Sequence, residues 1–196
     1  MGNFAISIQI YQVHMSLKVK IDFEDTYQPI NIEPDFSEMS FISPQKDGTN
    51  RELFVFINPH PDEELPNVYN LGFGPPDGYG GFHDDVKLRH ADNNKVFSTV
   101  LFHALLFLQE NPNLTIGLDG SDDSRATLYH LMFKANKEYL DDFFIAIGVD
   151  WYVRIFRDNT YEQDEHGYFI KRPRPEPFNY DRTRHDLYRY YMFRLK

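Results

Sequence analysis

The stretch "DNNKVFSTVLFHALLFLQENP", residues 92–112, is the first clear apolar repeat at helical spacing in a chain whose first ninety residues are patterned for strands. Phe97, Val100, Leu101, Ala104, Leu105 and Leu108 recur every three or four residues, so on a helix they line up as one stripe. Asp92 or Asn93 can accept the first free N–H groups. Asn111-Pro112 stops the helix, because proline lacks a donor and clashes with the preceding turn. A helix with one apolar stripe must lie on something, and the flanking sequence supplies a sheet.

Upstream, "AISIQIYQVH" and "LKVKIDF" alternate apolar and polar residues, with Leu17, Val19, Ile21 and Phe23 on one face, as strands do. "ELFVFINP" is a denser apolar run suited to a strand covered on both faces, and "NVYNLGFG" follows it. Pro29, Pro34, Pro44, Gly48, Pro59 and Pro61 break these runs at hairpin-like intervals. A glycine-rich loop, "GFGPPDGYGGFHDDVKLRHA", spans Gly72 to Ala91 and has the length of a functional loop or an insertion. Downstream of the helix, "LTIGLDG" reads as a strand and Asp122 to Phe144 as a second helical segment, broken near "KANKEYLDD" and ended by Gly148. "WYVRIF" is a further strand. Strands, helix, strand, helix, strand predict an α+β domain: a largely antiparallel sheet with two main helices packed on one face.

Residues 1–172 are expected to form a single domain. Residues 173–196 are expected to be a basic, aromatic C-terminal extension, with prolines 173, 175 and 177 extending it and "DLYRYYMFRLK" adding an edge strand. The formal charge is −10, but residues 171–196 hold eight Lys or Arg against three acids, so +5, which leaves −15 on the rest. A body that acidic repels a phosphate backbone and argues against nucleic acid as a partner, even though "RTRHDLYRYYMFRLK" interleaves basic and aromatic residues. The basic tail is expected to lie on the chain's own acidic surface or on a second copy, which would make a homodimer through the arm. With no cysteine there is neither disulfide nor thiolate metal site. No run has the length or apolarity of a membrane span, and the start lacks the pattern of a signal peptide. The expected setting is therefore a soluble, cytoplasmic one, without membrane.

"YNLGFG", the asparagine-rich helix start "NNKVFSTVLFHALLFL", "GSDDSRATLYHLMF" and "YFIKRP" together resemble a family of short bacterial proteins known as a domain of unknown function. The most specific piece is Gly-Ser, three residues, Arg, two residues, Leu-Tyr, and the resemblance covers about residues 67–172. It implies a shared core there and no assigned activity. Asp122 and Asp123 depart from the small or hydroxyl residues expected at those positions, and the tail beyond Pro175 has no counterpart.

"LDGSDDSRATLYH" ends a strand on Gly-Ser and starts a helix at once. Free N–H groups and the positive end of the dipole favour an anion at such a helix start. Gly120 allows close approach, Ser121 adds a donor, Arg125 can clamp an oxyanion through two N–H groups, and Tyr129 shares the arginine's face. The plainer alternative is capping by Ser121, with Asp122 and Asp123 satisfying the dipole and Arg125 paired to Asp119 or Asp85. His83, Asp84 and Asp85, with His90 and Asp92 nearby, form a second cluster suited to acid–base work or weak metal binding. Their consecutive spacing matches no metal motif, so neither metal nor cofactor is expected. "NPHPDEEL" reads as an acidic turn, and His103 as a hydrogen-bonded core histidine. No nucleophile elbow, P-loop, zinc-protease or dinucleotide motif appears, and the paired acids that a nucleotidyltransferase needs on the next strand are missing. The expectation is a binding or interaction module for a small anionic ligand or a partner protein at Gly120, Ser121, Arg125 and Tyr129, with the Gly72–Ala91 loop as a lid. The alternative is an enzyme using the same cleft, with His83, Asp84 or Asp85 as the acid–base or metal group.

Overall fold

A computed structural model describes residues 19–83 and 88–196. One eight-stranded sheet carries the fold in the order β1-β2-β3-β4-β5-β8-β6-β7. The strands are β1 (Pro29–Ile32), β2 (Glu38–Pro44), β3 (Asn50–Pro59), β4 (Val68–Gly74), β5 (Thr115–Asp119), β6 (Phe144–Val153), β7 (Lys171–Pro177) and β8 (Tyr190–Leu195). Every neighbouring pair is antiparallel except β4 and β5, which are parallel and joined through helix α1 (Asn93–Glu110). Helix α2 (Asp123–Ala135) follows β5, and a single turn, α3 (Lys137–Leu140), follows α2. The class is α+β, as the pattern predicts. No described helix is long and apolar enough to cross a membrane.

Both long helices contribute to one core. Val96, Val100, Leu101, Ala104 and Leu108 of α1, and Ala126, Met132 and Phe133 of α2, pack with Phe41, Leu53, Val55, Ile57, Ile116, Leu118, Tyr191 and Phe193 of the sheet. Asp92 caps α1 by accepting from the Lys95 N–H at 3.0 Å, and Asn111 ends it with its side chain donating to the Phe107 carbonyl at 2.9 Å. The stop and start read from local chemistry hold here.

Partner choice differs from expectation in four places. "AISIQIYQVH" and Leu17 lie outside the described residues. Residues 19–23 do bury Val19, Ile21 and Phe23 in alternation, but among the described residues they pair with no strand. Their backbone is instead satisfied by helix side chains: Asn136 Oδ1 accepts from Ile21 N at 2.8 Å, Ser98 Oγ from Asp22 N at 2.9 Å, and the Tyr139 hydroxyl from Phe23 N at 2.8 Å. An extended backbone needs partners wherever it lies buried, and these polar side chains serve as well as a ladder.

The second helical segment ends earlier than Gly148, because β6 begins at Phe144 and Gly148 sits in mid-strand. A Cβ at Gly148 would lie 2.2 Å from the Tyr188 ring, so glycine is there for close packing and marks no helix end. The proline-spaced segment is β7, an edge strand of the sheet. Residues two apart point their N–H groups the same way. Prolines 173, 175 and 177 can therefore turn their donorless side outward and leave the β6-facing positions intact, blunting the edge.

The last strand is interior, whereas an edge strand was expected. β8 lies between β5 and β6, with Tyr191 and Phe193 in the helix-side core and Tyr190 and Met192 in a smaller core on the opposite face with Leu65, Val68 and Val149. Four consecutive buried residues are the mark of a strand covered on both faces. The basic tail is bound to its own chain: Arg172 pairs with Glu162 and Glu64, Arg182 with Asp150 and Glu176, and Arg189 with Asp123.

Candidate functional site

Two parallel strands direct their carboxyl ends the same way, and after Asn70 and Gly117 the β4–β5 ladder stops. The chain opens there into a cavity of about 730 Å³ beside the start of α2. Phe56, Phe73, Phe82, Phe97, Leu128 and Tyr129 give it an apolar wall, and Asn58, Asn70, His83, Arg89, His90, Asp119 and Arg125 bring polar groups to it. A concave, mostly apolar site with a few converging polar groups is what small ligands occupy.

The glycines of "YNLGFG" shape one side. A Cβ at Gly72 would come within 2.5 Å of the Phe82 ring, and one at Gly74 within 2.2 Å of the His83 carbonyl. Their absence lets the loop fold back on β4, where Phe82 stacks on Phe56 at 5.6 Å. The Asp77 carboxylate holds the loop's turn by accepting from Tyr79 N and Gly81 N, and His83 N donates to Pro75 O at 2.8 Å. His83 is thereby set at the cavity. Asp84 and Asp85 lie outside the described residues.

Arg125 and Tyr129, one helical turn apart on α2, line the same cavity. The Arg125 guanidinium is ion-paired to Asp122 at 3.0 Å and to Asp119 at 3.8 Å, with its side chain 30% exposed. The helix start itself is arranged differently from expectation. The N-cap is Asp122 rather than Ser121: its carboxylate accepts from the Ser124 and Arg125 N–H groups at 2.8 and 2.9 Å, where an external anion would otherwise sit. Ser121 turns to Asp119, donating from N and Oγ at 2.8 and 3.0 Å. Gly120 is required by packing, since a Cβ there would lie 2.8 Å from the Tyr191 ring. Neither Gly120 nor Ser121 lines the cavity. Of the four residues expected around an anion, Arg125 and Tyr129 reach it, and His83 joins them from the loop.

Three lining residues, Asn58, Asn70 and Arg89, escape a reading of motifs, and His90 enters it only as a neighbour of the His83 cluster. Asn58 and Asn70 are register partners on β3 and β4, and Asn70 accepts from the Tyr190 hydroxyl. Burial pushes that hydroxyl's pKa up, with Asp119 adding to the shift. Arg89 and His90 come from the second arm of the loop, whose backbone is tied to the end of β2 and the turn after it through Ala91 N to Pro44 O and Lys46 N to Arg89 O. A lone asparagine among the apolar residues of each strand is the trace of the pair in the sequence, and the strand register is needed to see them meet. Burial also lowers the His90 imidazole below its usual range. In the acidic turn, His60 Nδ1 accepts from Asp62 N at 3.0 Å, and its ring lies against Tyr190. Among the described residues no three His, Asp or Glu side chains gather as metal ligands would.

Fold and cavity together define an α+β domain with a ligand-sized cleft at the carboxyl ends of its single described parallel strand pair. Residues 24–173 match a family described as "Family of unknown function (DUF6934)", and the chain belongs to that family. No curated protein and no solved structure matches it.

Proposed function

We propose that the protein is a binding module for a small anionic ligand with an apolar body. The observation that carries this is one cavity of about 730 Å³ lined together by Arg125, Tyr129 and His83. The N–H groups at the α2 start already serve Asp122, so the arginine and the loop supply the recognition in this proposal. Among the described lining residues, two arginines and two histidines stand with one carboxylate at an aromatic-walled cavity, which favours an acid over a cation as ligand. A basic protein partner, drawn by the acidic body, is a less supported alternative, because Asp150 and Asp123 of that body already pair with the tail arginines.

A library of small carboxylates and phosphates, screened by thermal shift, tests the module. Acids that raise the melting temperature of the native protein should lose that effect in Arg125→Ala. The unliganded melting temperature should change little, because partly exposed ion pairs contribute at most about 1 kcal/mol. Acids that stabilise the variant as well as the native protein would overturn the role of Arg125. His83 at the same cavity favours an enzyme as the second reading, with its imidazole as acid–base group. Turnover in an ester and phosphoester screen that persists in His83→Ala would remove that role.

A further inference from the structure

The wall of the cavity holds a histidine fixed from behind. His90 Nδ1 lies 2.8 Å from Ser43 Oγ and 3.2 Å from Gln45 Nε2. Ser43 is fully buried and Gln45 is 6% exposed, so water does not intervene. The orientation of the Gln45 amide is set independently by two backbone groups: Oε1 accepts from Arg89 N at 3.0 Å, and Nε2 donates to Ser43 O at 3.0 Å. An amide nitrogen can only donate, so the ring nitrogen facing it must be the unprotonated one. The Ser43 hydroxyl can turn its proton to the same atom. The single proton of the neutral imidazole is thereby placed on Nε2. That atom makes no hydrogen bond among the described residues, on a residue that lines the cavity.

We infer that His90 is a ligand-binding residue that offers its Nε2–H as a fixed donor. The small acid held in this cavity would then carry, apart from its anionic group, a neutral acceptor such as a carbonyl oxygen or ring nitrogen. This rests on the small-anion reading of the cavity given above. The second pole has a chemical reason. An N–H whose ring is held from behind, once covered by a ligand, discriminates against ligands that leave it unpaired. The same arrangement bars Nε2 from acting as a general base, since its lone pair is occupied by the proton. Burial lowers the ring's proton affinity and so keeps it neutral. Asn58 and Asn70 at the same cavity suit a polar ligand edge, and Phe97 and Tyr129 suit its apolar body.

The test uses the full-length protein with ¹⁵N-labelled histidine. Long-range nitrogen–proton spectra at neutral pH should show Nδ1 of His90 as the unprotonated, pyridine-like nitrogen and Nε2 as the protonated one. The reverse tautomer, or an imidazolium, overturns the inference without any ligand. Ligand chemistry is read with 4-acetylbenzoate and its near-isostere 4-isopropylbenzoate, which lacks the acceptor. The acetyl acid should bind about five- to tenfold more tightly, the ratio expected for one neutral hydrogen bond, and should shift the His90 Nε2–H resonance. Equal binding of the two acids, with that resonance unmoved, overturns the second pole while leaving the anion site standing. If neither acid moves any resonance of the cavity residues, the small-anion reading itself fails. His90→Phe supplies a converse case. Removing the ring nitrogens should erase the preference for the acetyl acid. Retention of that preference in a folded variant also refutes the proposal.

Discussion

Asn136 bears on how residues 19–23 stay in place without a strand partner. Its side chain accepts from Ile21 N at 2.8 Å and donates to Val19 O at 2.7 Å and to Met132 O at 2.8 Å, and the residue is 6% exposed. Asn136→Ala leaves one buried N–H and one buried carbonyl on the extended segment with no substitute. Met132 O keeps the backbone N–H of residue 136 at 3.2 Å, so its loss is small. Each orphaned buried group costs roughly 1–3 kcal/mol. Water entering the space left by the amide recovers part of this, and the expected loss is about 2–4 kcal/mol. For a chain of this length, that lowers the melting temperature by roughly 5–15 °C. Urea unfolding followed by circular dichroism gives the stability, and hydrogen exchange at the Ile21 amide gives the local effect. That amide should exchange at least about thirtyfold faster, which corresponds to 2 kcal/mol at 1.4 kcal/mol per factor of ten. Asn94→Ala is the control, because it removes only an exposed bond to Lys20 N and should cost well under 1 kcal/mol. A loss below about 1 kcal/mol in Asn136→Ala, with Ile21 exchange unchanged, would refute the claim that side chains anchor this segment.

Three further expectations follow from the core. Burial lowers the His103 imidazole from 6.5 to about 4, with a backbone contact of Phe36 offsetting part of the shift, and among the described residues neither ring nitrogen has a hydrogen bond of good geometry. As pH falls below about 6.5 the unfolded chain takes up a proton that the folded one refuses, so stability declines until about pH 4; His103→Leu should flatten the fall in the urea midpoint between pH 7 and 5 by about 2 kcal/mol, and an unchanged slope would exclude His103 as its source. Ending the chain after Pro177 removes β8 from between β5 and β6, so no cooperative unfolding transition should remain; a truncated protein that still melts sharply would show the tail to be dispensable. Gly148→Ala would place a Cβ 2.2 Å from the buried Tyr188 ring and should cost about 1–3 kcal/mol; the penalty should shrink in a Tyr188→Leu background, and simple additivity of the two changes would argue against that contact.

Much of the fold was legible because the physics that encodes it is local. The stripe from Phe97 to Leu108, the cap at Asp92 and the stop at Asn111 depend on residues within a few positions of one another. The alternation of Val19, Ile21 and Phe23 likewise predicts an extended segment with one buried face. Local chemistry also explains why Asp122 and Ser121 were easily exchanged: both are good caps one residue apart, and the choice turns on Asp119 drawing Ser121 aside. At the candidate site, Arg125, Tyr129 and His83 stand out as residue types that handle anions and protons. Asn58, Asn70 and Gln45 do not, since isolated amides carry no motif.

By itself, then, the sequence determined which segments are helix or extended, which face of each seeks the core, and where charge of each sign is concentrated. Tertiary structure alone decided who meets whom: β8 in the middle of the sheet, the helix amides beside residues 19–23, and four distant segments at one cavity. Burial preference is a property of each residue and leaves a periodic trace, whereas pairing depends on long-range register and on which surfaces fit together. Tyr190 to Phe193 illustrate the division. Their composition says that both faces must be covered, and the folded sheet supplies β5 and β6 as the neighbours that do it.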